Sequence, residues 1–82
     1  MDKASRSLIG EMSVMDSSGH KELKWNTDHP EEVAAARKTF DNLLAKGYSA
    51  FGSDKKQEPK HLMKNFNPEM EEVVMVPRTV GG

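Results

Sequence analysis

The chain has 82 residues, 35% of them hydrophobic, so it holds one domain at most with a thin core. It contains no cysteine, carries a formal net charge of -1, and has 30% charged residues. These figures exclude a disulfide scaffold and a thiolate metal site, and they argue against a dedicated nucleic-acid or membrane-surface binder.

The first nine residues include Lys3 and Arg6 but no apolar run of signal-peptide or membrane-span length, so the expectation is a small soluble cytoplasmic protein. Residues 1–6 read as a disordered N-terminus and residues 7–77 as a single domain. Ser7 to Asp16 alternates with period two, and Met12 and Val14 are its inward pair. Ser17, Ser18, Gly19 and His20 supply turn chemistry, after which Lys21 to Asn26 alternates again with Leu23 and Trp25 on one side. Two such runs about a short turn predict a β-hairpin.

A helix is predicted over Pro30 to Lys46. Thr27 and Asp28 are N-cap candidates, Asp28 and Glu31 have capping-box-like spacing, and Pro30 suits a first turn whose carboxylates, Glu31 and Glu32, favour the positive end of the dipole. Val33, Ala36, Phe40, Leu43 and Leu44 recur on one face, and Gly47 stands where a left-handed C-cap belongs. Tyr48 to Phe51 reads as a short strand and residues 52–60 as a mobile surface loop. His61 to Phe66 fits either a short strand or one helical turn. Val73 to Val76 is an unbroken apolar run, as in a strand central in its sheet or covered on both sides. The result is an α+β domain: a small mixed sheet of about four strands with one helix across a face, in the order β-β-α-β-(short element)-β. A last strand beside the first would run parallel to it. Val33, Phe40, Leu44, Trp25, Val74 and Val76 are expected to share one core.

Residues able to carry chemistry are few. His20, His29 and His61 lack metal-ligand spacing to one another, and no metal site is expected. Turn composition explains Ser17, Ser18 and His20 better than a nucleophile and base, and Glu31, Glu32, Glu71 and Glu72 read as solvated carboxylates rather than acid/base dyads. No phosphate-cradling glycine loop appears, and the chain does not read as an enzyme. Lys55, Lys56, Lys60 and Lys64, flanked by Phe51 and Phe66, resemble a single-strand nucleic-acid patch in outline, but Asp54 and Glu58 interrupt the charge, and a solvated loop is the better reading.

The C-terminal run Glu71-Glu72-Val73-Val74-Met75-Val76-Pro77-Arg78-Thr79-Val80-Gly81-Gly82 is an apolar strand, a proline stop and a tail, 78–82, that reads as flexible. With the order strand, strand, helix, strand before it, this run resembles the β-grasp proteins: ubiquitin-like modifiers and the sulfur carriers of thiamin and molybdopterin biosynthesis. The resemblance is specific over the last dozen residues. It departs from sulfur carriers at Arg78, and from many modifiers in placing Thr79 and Val80 between the arginine and the diglycine. It implies a β-grasp-like fold and a small modifier or sulfur carrier, monomeric, whose Gly82 carboxylate is activated by a partner adenylating enzyme. ATP would be bound by that enzyme, and the chain itself would hold no cofactor. Gly82 would be the site of conjugation or thiocarboxylation and Gly81 the residue that passes a narrow channel, with Arg78, Thr79 and Val80 recognised there. The competing reading is a non-catalytic protein-binding, assembly or mobile-element accessory protein whose sheet edge or helix face meets a partner.

Overall fold

A computed structural model describes residues 8–16 and 19–77. Its elements are β1 (Ile9–Asp16), β2 (Gly19–Asn26), α1 (Pro30–Ala45), β3 (Ser49–Ser53), β4 (His61–Met63) and β5 (Glu72–Val76). The five strands form one mixed sheet in the order β2-β1-β5-β3-β4. β1 and β2 pair antiparallel from Ile9 opposite Asn26 to Asp16 opposite Gly19. β5 lies parallel to β1 and antiparallel to β3, and β4 is antiparallel to β3. The fold class is thus α+β as expected, and the undecided fourth element is a strand, so the sheet has five strands rather than about four.

The helix crosses one face of this sheet. Met12 stands opposite Leu23 and Val73, and Val14 beside Met75, which in turn faces Ala50. Met12, Val14, Val73, Met75 and Ala50, with Trp25 and Met63 from the two edge strands and Ala36 and Phe40 from the helix, are the buried core; Leu23, Val33, Leu43 and Leu44 pack around it. Phe66 fills the space between Trp25 and Phe40, with ring centroids 5.1 and 5.5 Å away.

Several sequence expectations shift. Val73 and Met75 point into the core, whereas Val74 is half-buried on the other face and Val76 is 37% exposed there. An unbroken apolar run carries no period-two signal, so its parity comes from pairing with the alternating β1. β2 begins at Gly19 rather than Lys21. β3 begins at Ser49, after Tyr48, and runs on to Ser53, so that Gly52 and Ser53 are buried and the loop starts at Asp54. At the helix start neither Thr27 nor Asp28 caps: the N-cap is His29, with no side-chain cap bond. Thr27 Oγ1 instead accepts the Leu8 N–H at 3.0 Å, and Glu32 Oε1 reaches back to the Asn26 N–H at 2.8 Å. The helix ends at Ala45 with Lys46 as C-cap, and Gly47 follows at φ 98°, a left-handed conformation that glycine adopts without steric penalty. The predicted N-terminus (1–6), Ser7, the turn serines Ser17 and Ser18, and the tail 78–82 lie outside the described residues.

Candidate functional site

The sheet has a second face, opposite the helix. β5 brings Val74 there between Ser13 of β1 and Phe51 of β3, and Phe51 is followed by Leu62 of β4. Val74 and Phe51 are half-buried; Leu62, Val76 and Met15 are 61, 37 and 40% exposed. An apolar strip therefore crosses three strands without a covering layer among the described residues.

The other end of this face is covered by the 54–60 segment. Lys56 Nζ lies 3.1 Å from Glu11 Oε1, and Lys60 Nζ lies 2.7 Å from Glu72 Oε1. The Glu11 carboxylate holds the Lys56 ammonium above its ordinary pKa, first by the hydrogen bond and then by charge. Ser53 lies almost fully buried and donates from Oγ to the Lys55 carbonyl at 2.6 Å. The lysines proposed for a nucleic-acid patch are thus partly neutralised by the sheet's own carboxylates. Phe66, their aromatic partner by sequence, is packed against Trp25 and Phe40 on the opposite face. The loop and the two phenylalanines do not come together as one surface.

β5 leads to the tail. Its last residue, Val76, pairs with Ser49 at the end of the sheet where β1 ends and β2 begins. Pro77 follows; it has no N–H to extend a ladder, so the strand stops there. The residues assigned to conjugation and recognition, Arg78, Thr79, Val80, Gly81 and Gly82, lie outside the described residues.

Three polar side chains meet at the helix start, where ligand atoms of His29, Glu31 and Glu32 lie within 4.8 Å of one another. Sequence spacing among the histidines did not reveal this group, since its other members are carboxylates. Glu32 is already engaged: Oε1 with the Asn26 N–H, and Oε2 3.1 Å from His29 Nδ1. Its hydrogen bond raises the His29 pKa above the ordinary 6.5, and the same bond, with that to Asn26, lowers the pKa of Glu32. The arrangement reads as a strand-to-helix clamp. An open groove of about 870 Å³ runs beside the helix between Val33, Arg37, Asp41 and Pro68, and its charges are of both signs. Among the described residues no helix is long and apolar enough to cross a membrane.

Compared with protein-family models, with curated proteins and with solved structures, the chain matches none.

Proposed function

We propose that this chain is a β-grasp carrier or modifier that reacts through the carboxylate of Gly82. The observation that carries this reading is the placement of β5. The strand sits in the middle of the sheet, parallel to β1, and ends at Val76 with Pro77 directly beyond it. Element order, first-beside-last pairing and a single helix across one face all support a β-grasp plan. The ladder ends at Pro77, which has no N–H to extend it.

On this reading a partner enzyme binds ATP, and the Gly82 carboxylate attacks the α-phosphorus, releasing pyrophosphate and leaving an acyl-adenylate. A thiol, a sulfur donor or a lysine amine then attacks the carbonyl and AMP departs. Glycines at positions 81 and 82 suit this because a chain without Cβ atoms passes a narrow channel. The apolar strip of Phe51, Val74 and Leu62 is the docking face for the partner. That same strip also favours the second reading, a non-catalytic binding protein, in which the tail has no chemistry.

The test is to express an N-terminally tagged chain in its native host beside a version lacking Gly81 and Gly82. Denaturing gels and intact mass then report adducts and the identity of the last residue. Adducts or a thiocarboxylate seen only with the diglycine support the carrier. Unmodified mass for both versions under growth and stress conditions refutes it and leaves the binding reading.

A further inference from the structure

β2 is an eight-residue strand at one end of the sheet, paired among the described residues with β1 alone. Its backbone directions follow from the bonds around it. The Thr27 N–H donates to the Leu8 carbonyl at 3.0 Å, so the peptide groups of Lys21, Leu23 and Trp25, in step with Thr27, face β1. Across β1, the Glu11 N–H donates to the Glu71 carbonyl, which leaves Gly10, Met12 and Val14 to bond β2, consistent with that parity. The Asn26 N–H points the other way and is held by Glu32 Oε1 at 2.8 Å, while the Asn26 carbonyl accepts the His29 N–H at 2.8 Å. The peptide groups of His20, Glu22 and Lys24 therefore face outward, on the side where the sheet has no further strand among the described residues.

We propose that a second copy of this chain adds to β2, antiparallel, about a two-fold axis through Leu23, joining two five-stranded sheets into one of ten. Two observations select this occupant and register together. Only outward-facing residues can exchange ladder bonds, and across an axis at the middle of the strand these are Glu22 and Lys24. Glu22 opposite Glu22, or Lys24 opposite Lys24, places like charges face to face, which is destabilising. Glu22 opposite Lys24 of the second copy places opposite charges together, and the symmetry repeats the pair. That register gives four backbone hydrogen bonds and two ion pairs on the face away from the helix. It also sets Leu23 against Leu23 of the second copy in the close, non-bonded position. Lysines on an edge strand ordinarily discourage pairing. Here the change of sign two residues away disfavours the registers that oppose like charges and favours the one that sets Glu22 against Lys24. The Glu32 clamp on Asn26 ends the ladder, so the interface centres on Glu22 to Lys24. All three residues at its centre are exposed or half-buried in the single chain. Glu22 already has a polar interaction within its own chain, which pairing adds to or exchanges. This replaces the expectation of a monomer, and it does not depend on the reading of the tail.

The experiment is sedimentation velocity of the full chain over a concentration series, with circular dichroism to check each variant's fold. The wild type should shift from 9.2 kDa toward twice that mass. Glu22→Lys and Lys24→Glu should each weaken association by about tenfold or more, since two attractive pairs become repulsive. The double swap E22K/K24E should restore it to within about threefold, because opposite charges again face each other. Glu22→Pro removes an outward N–H that the β1 ladder does not use, and should abolish association while leaving the chain folded. A wild type that stays at 9.2 kDa up to millimolar concentration overturns the proposal. So does a double swap that fails to recover, or a Glu22→Pro variant that dimerises as before.

Discussion

Gly10→Ala is the sharpest test of the core. Gly10 stands opposite Trp25 on the helix side of the sheet, and a Cβ placed there comes within 2.2 Å of Trp25 Cε2 and Cζ2. Carbon atoms pack at about 3.5–4.0 Å, so the indole must retreat by more than an ångström. It has little room to do so. Trp25 is 1% exposed, its Nε1 donates to the Pro68 carbonyl at 2.9 Å, and its ring packs T-shaped with Phe66. Overpacking costs about 1–3 kcal/mol and a lost hydrogen bond about 0.5–1.5 kcal/mol, so the variant should lose about 2–4 kcal/mol. That is a large part of the roughly 4–12 kcal/mol expected for a chain of this length. Trp25 is the only tryptophan, so its fluorescence reports both its burial and the unfolding transition. With a urea slope of about 1 kcal/mol/M, the midpoint should fall by about 2 M or more and the native emission should shift to the red. The sign is decisive. If the ring did not lie on Gly10, alanine in a strand would stabilise by about 0.5–1 kcal/mol. A midpoint that is unchanged or raised would refute the packing.

Phe40→Ala should cost about 3–5 kcal/mol by urea unfolding, because the side chain is fully buried and packs against Phe66. Met75→Ala should cost about 2–5 kcal/mol and Val76→Ala less than about 1 kcal/mol; equal losses would mean that β5 faces the other way. The His29–Glu32 clamp sets a pH dependence. His29, raised above 6.5, contributes stability that is full below 6.5 and lost as pH rises through its folded value; Glu32, lowered below 4.5, contributes stability present above 4.5 and lost as pH falls through its own. Their joint contribution should therefore peak between those ordinary values. In Glu32→Gln the His29 titration followed by NMR should fall back toward 6.5, and an unmoved titration would show that the pair does not form in solution.

The helix and the hairpin were legible because their signals are local. Pro30 fixed a start, Gly47 an end, and the spacing of Ala36 and Phe40 a face, while Met12, Val14 and Trp25 sat in alternating runs. The parity of β5 was not legible, because Val73, Val74, Met75 and Val76 are alike in polarity and differ only in what pairs beside them. The helix cap failed for a related reason. Thr27 and Asp28 have capping chemistry, but the chain leaving β2 spends Thr27 on Leu8 and sends Glu32 back to the strand. Such long-range use of a side chain leaves no mark in its neighbours. The strip of Phe51, Val74 and Leu62 depends on two strand pairings at once and was invisible for that reason.

The two surfaces given roles here are geometrically independent. β2 is the outermost strand and β5 lies two places inward, with β1 between them. Because β2 runs antiparallel to β1 and β5, the end of the sheet at Val76 is the end at which β2 begins. A two-fold axis through Leu23 sends the β2 strands of the two copies in opposite directions. The two Pro77 exits then fall at opposite ends of the joined sheet, and neither chain's exit meets the other copy. Pairing and tail chemistry should consequently separate under mutation. Lys24→Glu should weaken dimerisation by about tenfold or more and leave adduct formation at its wild-type level, whereas removal of Gly81 and Gly82 should abolish adducts and leave the sedimentation of the chain unchanged. A Lys24→Glu variant that lost its adducts would mean that the activating partner, rather than a second copy, occupies the β2 edge.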